Sequence, residues 1–440
     1  MTKKTKYTLQ DVGEPNLYRE QFPYTELPRV VFDGAAVPMA PAAAMWITDT
    51  TFRDGQQARP PYTVEQVADI YTLLHKLDGG SGLIRASEFF LYSKRDREAI
   101  DRCRELGFDY PRVTGWIRAV RADFKLVKDM GLDETGILTS CSDYHVFLKL
   151  HKTRKQALDG YLDVVRAALE AEVNPRCHFE DITRADFYGF VVPFAAELMK
   201  LREESGRDIK IRLCDTMGFA VPWPEAALPR SVPKLVHGLI HDAGVPGELL
   251  EWHGHNDFHK VVINPVTAWL YGCAGANCAV LGLGERTGNT PVEAMVVEAA
   301  QLNGRHTPGV DYKVITELAE YYRRNLGELI PPNYPLVGRD FNVTRAGIHA
   351  DGLTKNEEIY NCFDTQKILA RPPGVAITDK SGAAGIKHWI DRCFGTNLPK
   401  DDHRLLAIKD RIDAEYEAGR TSCISEEEML AWYKEAFGQG

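Results

Sequence analysis

Arg53 and Asp54 stand together in the run Asp49-Thr50-Thr51-Phe52-Arg53-Asp54-Gly55, and His253 and His255 stand two apart in His253-Gly254-His255-Asn256-Asp257. Side chains two apart in an extended segment point to one face, so both imidazoles can reach one ion. With a carboxylate from another strand, Asp54, they make a two-histidine, one-carboxylate set suited to a divalent metal. A lone H-x-H pattern reads as two unrelated loop histidines. The Asn-Asp that follows, and the acidic residues that close neighbouring strand candidates, favour a site instead. An ion there would polarise a keto oxygen, and the Arg53 guanidinium would offset charge developing on an enolate or alkoxide. A structural ion pair of Arg53 with Glu88 or Glu180 is compatible with that role. The stretch Gly282 to Asn289 reads G-x-G-x-x-x-G and follows the last strand candidate, so it is no dinucleotide fingerprint. Its glycines let the backbone approach the metal site, with Asn289 offering an amide oxygen.

Residues this far apart need a scaffold that gathers them. From Met45 onward, strand candidates at 44–48, 83–89, 111–117, 135–140, 175–180, 209–215, 249–253 and 277–282 alternate with helical patterns such as 64–77, 158–172 and 264–274. Eight alternations over roughly 250 residues predict an α/β chain folded as a (β/α)8 TIM barrel, with an open doubly wound sheet as the competing fold. In a barrel the polar residues closing these strands converge on the C-terminal rim: Asp54, Glu88, Glu180, Asp181, Asp215, Thr216, His253 and His255. That convergence favours the barrel.

The rest of the chain divides around it. Residues 1–43 read as an irregular arm lying over a larger body and 44–305 as the catalytic barrel. Residues 306–338 read as a linker helix and a Pro-rich connection, and 339–440 as small C-terminal subdomains with helical patterns such as 425–437.

Of 440 residues, 44% are hydrophobic and 26% charged, the balance of a globular chain, and the formal charge is −9. An acidic chain without a basic stripe argues against nucleic acid as a partner. The nine cysteines form no C-x-x-C pair, which fits reduced thiols, and Cys177, Cys214 and Cys278 read as buried small hydrophobes. There is no apolar leader segment and no run long enough to span a bilayer, so the expectation is a soluble cytoplasmic protein with no membrane partner.

DTTFRDGQQ (49–57), HGHND (253–257) and GLGERTGN (282–289), in that order, resemble the DRE-TIM metallolyases, and within them the acyltransferase branch of 2-isopropylmalate, homocitrate and Re-type citrate synthases. The resemblance covers roughly residues 45–390. It implies Arg53 as a catalytic arginine, Asp54, His253 and His255 as metal ligands, Asn289 on or near the metal, and Glu88 as an active-site glutamate. Thr216, in CDTMG, resembles the threonine that holds a substrate carboxylate. Arg184, in FEDITRAD, resembles the arginine that binds a distal carboxylate. RAGIHADG places His349 as the catalytic histidine, and Tyr360, in IYNCFD, as its companion; in the family both reach into a partner subunit, which implies a homodimer.

The implied cofactor is a divalent ion, Mn²⁺ first, with Co²⁺, Zn²⁺ or Mg²⁺ as alternatives. The implied substrates are acetyl-CoA and a 2-oxo acid. HGHNDFHK departs from the commoner pattern by placing His259 and Lys260 where a small residue usually stands. With that variant and the arm PNLYREQFPYTELPRVVFDG (15–34), the chain is most similar to the Re-type citrate synthases. That similarity implies condensation of acetyl-CoA with oxaloacetate and thioester hydrolysis to citrate and CoA. Homocitrate, 2-isopropylmalate or citramalate synthesis is the alternative.

Overall fold

In the computed structural model, which describes residues 5–438, the chain forms two compact units, Met1–Asp311 and Tyr312–Gly440. Residues 1–4 of the expected arm and 439–440 of the C-terminal region lie outside the described residues. The division falls within the stretch read as a linker.

Eight strands, β1 (Trp46–Asp49), β2 (Ile84–Phe90), β3 (Arg112–Ile117), β4 (Glu134–Ser140), β5 (Asn174–Glu180), β6 (Lys210–Asp215), β7 (Leu250–Gly254) and β8 (Gly275–Ala279), pair in parallel in sequence order. β1 pairs with both β2 and β8, with Thr48 opposite Asn277, so the sheet closes and the open-sheet alternative is excluded. The crossovers supply α1 (Val64–Asp78), α2 (Lys94–Glu105), α3 (Phe124–Asp129), α4 (Arg154–Glu170), α5 (Val192–Ser205), α6 (Val232–His241), α7 (Ile263–Leu270) and α8 (Val292–Asn303).

Local chemistry sets several of these boundaries. Thr63 and Gln66 form a capping box at the start of α1, which ends at Gly79 in the left-handed region (φ 55°). Thr153 with Gln156 and Ser93 with Asp96 do the same for α4 and α2. Between strands and helices runs an apolar layer that includes Cys177, Phe179, Ile211, Leu213, Trp252, Val165, Phe194 and Leu235. Six of the nine cysteines are buried, Cys177, Cys214 and Cys278 among them.

The barrel interior is built differently. Thr48, Glu88, Thr114, Glu134, Arg176, His178, Arg212, Glu251, His253 and Asn277, from all eight strands, are buried and polar. Branched aliphatic side chains usually fill this space.

The arm runs along this body in an irregular course. Gln10 N–H donates to Gly189 O (2.8 Å), Ala227 N–H to Val31 O (2.8 Å) and Ala42 N–H to Trp269 O (2.8 Å). Phe22, 4% exposed, packs on Phe219 with ring centroids 4.9 Å apart.

The second unit begins with α9 (Val314–Asn325); α10 (Gly347–Lys355), α11 (Gly382–Phe394), α12 (His403–Glu417) and α13 (Glu426–Phe437) then surround a core that includes Leu353, Ile386, Trp389, Leu405 and Met429. A Ser425–Glu428 capping box opens α13, the helix expected at 425–437. No helix among the described residues is long and apolar enough to cross a membrane.

One buried side chain fastens the arm. Arg154, at the start of α4, donates to Asp143 (2.9 and 2.7 Å), to Asp186 (2.8 Å) and to the arm carbonyl of Gln10 (3.1 Å). Arg154→Met strands two carboxylates, so stability should fall by about 3–5 kcal/mol, read as a lower urea midpoint, with the arm cut earlier in limited proteolysis.

Candidate active site

The end of β1 turns sharply into a one-turn helix, Asp54–Gln57, which aims Asp54 back over the barrel mouth. There it meets the two histidines of the β7 end. His253 Nε2 lies 3.5 Å and His255 Nε2 3.9 Å from Asp54 Oδ2, and the two Nε2 atoms are 3.3 Å apart. The three residues are the expected ligand set, and their donor atoms all lie within 4.8 Å of one another.

Three observations fit this cluster to a divalent ion. Asp54 Oδ2 and Asn289 Oδ1 are buried without a hydrogen-bond partner, as oxygens awaiting a cation would be. Burial depresses His253 to about 3 and lowers His255 too, so both imidazoles are neutral near pH 7. Burial raises Asp54, but the Arg53 guanidinium beside it works the other way and the carboxyl lies below its ordinary value. Neutral imidazoles and an ionised carboxylate are the forms that bind metals.

A chain of hydrogen bonds fixes the His253 tautomer. Asn277 Nδ2 donates to Thr48 Oγ1 (2.9 Å), and Thr48 in turn donates to Glu251. The Asn277 oxygen therefore faces His253 Nδ1 at 2.8 Å and accepts its proton, leaving the Nε2 lone pair toward Asp54. Asn289 is held by its own Nδ2 donating to Leu283 O (3.0 Å), and a Cβ on Gly284 would collide with that amide, so the loop needs glycine there.

Arg53 is 9% exposed and lies over the Trp116 ring at 5.3 Å. Its Nε donates to Glu88 Oε2 (3.0 Å) and its Nη1 sits 3.4 Å from Asp54 Oδ1. Glu88 also accepts from Arg176 (2.6 Å), Arg212 (2.9 and 3.1 Å) and Thr50 (3.1 Å). Burial pushes the Glu88 carboxyl up, but Arg212, Arg53 and Arg176 together hold it well below the usual range. Such a carboxylate is a poor proton acceptor. Glu88 holds Arg53 in place instead of offering a base.

Arg184 and Thr216 are joined through Asp181. The Asp181 carboxylate accepts Arg184 Nε on both oxygens (2.9 and 3.0 Å), and its backbone N–H donates to Thr216 Oγ1 (2.8 Å). The Arg184 guanidinium carbon lies over the Tyr144 ring at 4.1 Å, and its two terminal nitrogens have no hydrogen-bond partner among the described residues. His349 and Tyr360 lie in the second unit, both exposed, with ring centroids 4.3 Å apart; His349 Nδ1 is 3.2 Å from Thr344 Oγ1.

Sequence reasoning missed Arg176, Arg212, Glu251, Asn277, Thr48 and Asp181's linking role. The signal was present as charged residues at every second position of strand candidates, Arg176-x-His178-x-Glu180 and Glu251-x-His253. Outer-layer positions of these tie-points have a measurable effect: Asn277→Ala should weaken metal binding about 10–100-fold in equilibrium dialysis, because His253 loses the group that fixes its tautomer.

The HMGL-like family model matches residues 44–321. The Citrate (Re)-synthase of Syntrophus aciditrophicus is 59% identical over 98% of this chain and 69% of its own length. That of Clostridium kluyveri is 53% identical over 96% of this chain and 94% of its own. Among solved structures, the Bacillus subtilis HMG-CoA lyase matches 67% of this chain and 97% of its own with a TM-score of 0.51 at 20% identity, a likeness of fold. By sequence over its barrel and by near full-length identity to these relatives, the chain belongs to the HMGL-like family.

Proposed function

We propose that this protein condenses acetyl-CoA with oxaloacetate and hydrolyses the thioester, releasing citrate and CoA as a Citrate (Re)-synthase. The observation that supports it most is the Asp54–His253–His255 cluster with Arg53 against it, in a chain 59% and 53% identical to two Citrate (Re)-synthases over almost its whole length. Mn²⁺ is the proposed ion; held by Asp54, His253 and His255, with Asn289 beside them, it supplies a Lewis acid for the keto oxygen of the acceptor.

The chain's own groups do the rest. Arg53, fixed by Glu88 and Trp116, stabilises negative charge that develops on that oxygen as the new carbon–carbon bond forms. Arg184 offers its two open nitrogens to the distal carboxylate of the acceptor, a planar anion that a guanidinium fork matches. Thr216 holds the other carboxylate: its Oγ1 accepts from Asp181 N–H (2.8 Å), and its proton meets only the Cys214 carbonyl at 3.5 Å, a long bond that a substrate carboxylate would replace. His349, with Tyr360, removes the methyl proton of acetyl-CoA. On the family pattern a partner chain lends these two, so a cytoplasmic homodimer belongs to the same proposal. A longer or apolar 2-oxo acid is the rival acceptor, and Arg184's fork favours a dicarboxylate.

CoA release with Mn²⁺ should be fast with oxaloacetate and at background with 2-oxoglutarate, 2-oxoisovalerate and pyruvate; preference for another acid would sink the assignment. His349→Ala should lower kcat about 10²–10⁴-fold with metal content unchanged. Asp181→Ala frees Arg184, so the oxaloacetate KM should rise at least tenfold while the acetyl-CoA KM and kcat change little; a matched loss in all three would mark a fold defect.

A further inference from the structure

The second unit contains a cavity of about 960 Å³ that no step above uses. Its size is in the range of pockets that take whole small molecules, about 300–1,000 Å³. All its lining residues belong to 316–429, so it is built by the second unit alone. Five arginines line it: Arg323, Arg339, Arg345, Arg371 and Arg392. Only three carboxylates, Glu320, Asp340 and Glu426, line it with them, which leaves a surplus of two positive charges in a chain whose formal charge is −9.

Two of the arginines are firmly paired, Arg323 with Glu320 and Arg345 with Asp340, while two are held loosely: Arg392 Nη2 is 3.8 Å from Glu426, and Arg339 Nε is 3.4 Å from the Asp340 that Arg345 already holds. Arg371 donates to the main-chain oxygens of Leu336 (2.8 Å) and Gly338 (2.6 Å), with no carboxylate bonded to it. Burial, and Arg323 nearby, lower the Arg371 guanidinium, while Glu320 works the other way. Beneath the arginines the wall is apolar and buried: Val375, Ile377, Trp389, Ile424 and Met429.

An apolar wall next to several guanidiniums matches a ligand with a flat base at one end and phosphates at the other. Arginine forks suit phosphate oxygens, and a desolvated base suits the apolar wall. We propose that this cavity binds a nucleoside polyphosphate, a regulatory ligand separate from the substrates of the barrel. CoA carries the same adenosine-phosphate chemistry and is the second possible source.

Calorimetric titration of the full-length, metal-loaded protein tests this, with excess Mg²⁺ so that the nucleotide does not strip the ion. ATP should bind at one site per chain, at least tenfold tighter than AMP. The double variant Arg323→Gln, Arg392→Gln should lose at least tenfold in that affinity with its thermal midpoint and CoA-release rate intact. A second equivalent of CoA lost in the same variant, with no ATP binding, would name CoA as the occupant. No heat with any of these ligands, or affinities unchanged in the double variant, would overturn the proposal.

Discussion

Everything at the barrel mouth depends on one buried anion, Glu88, held among three guanidiniums. Arg212 bridges it to Glu251, Arg176 bridges it to Glu134, and Arg53 takes its last position from it. Lys210 completes the Glu134 end at 2.6 Å. Burying so many charges costs several kcal/mol per ion unless nearly every lone pair and proton is matched. Most of the lattice meets that condition, with Arg176 Nε, Arg212 Nη2 and His178 Nε2 as buried exceptions, and it leaves little room for error: a Cβ on Gly136 would sit 2.6 Å from His178 Nε2 and 2.9 Å from Glu88 Oε1. An aliphatic interior of the same volume would be no less stable by the usual reckoning, so stability does not explain the network. Positioning does, because a fixed Glu88 gives Arg53 one orientation before any substrate arrives.

The same network reaches the metal cluster by a second route. From Glu251 the bonds run through Thr48 and Asn277 to His253. Thr48 and Asn277 face each other only because β1 and β8 pair in that register, the pairing that closes the barrel. Asp54 leaves β1, His253 belongs to β7 and Asn289 follows β8, so the candidate ligands come from the two strands of this closing seam and from β7 beside them. Barrel closure and assembly of the site are one event. A sheet left open at β1 would separate Asp54 from both histidines and break the bond that sets the His253 tautomer.

Much of this was legible in the sequence. Eight strand candidates fall within a few residues of the eight strands, since each is a short strand-like run between turn residues and helical patterns. Asp54, His253 and His255 were readable because spacing and strand ends are local facts. The interior network was not, because a charged residue inside a strand has no partner in its own neighbourhood of sequence. Arg176 and Glu88 are 88 residues apart, and Arg212 and Glu88 are 124 apart. Their pairing follows from barrel register, which sequence patterning does not reveal. For the same reason Glu88 was legible as an active-site residue but not as one whose charge is already committed to three arginines.

The rim around β5 and β6 follows a related logic with a different outcome. Asp181 adopts a left-handed backbone (φ 64°), a conformation non-glycine residues seldom take, and it is fully buried. That turn points its carboxylate at Arg184 while its N–H meets Thr216, so one residue orients two groups on different strands' loops. This arrangement leaves hydrogen-bonding capacity open toward the barrel mouth: two nitrogens on Arg184, and on Thr216 a proton held only by a 3.5 Å bond to the Cys214 carbonyl. Tyr144 covers one face of the Arg184 guanidinium, and the arm's Arg19 stands over the same ring at 5.4 Å. The interior charges are matched mainly to each other; those at the rim are matched on one side only, and the unmatched side is where an anion would gain most by binding.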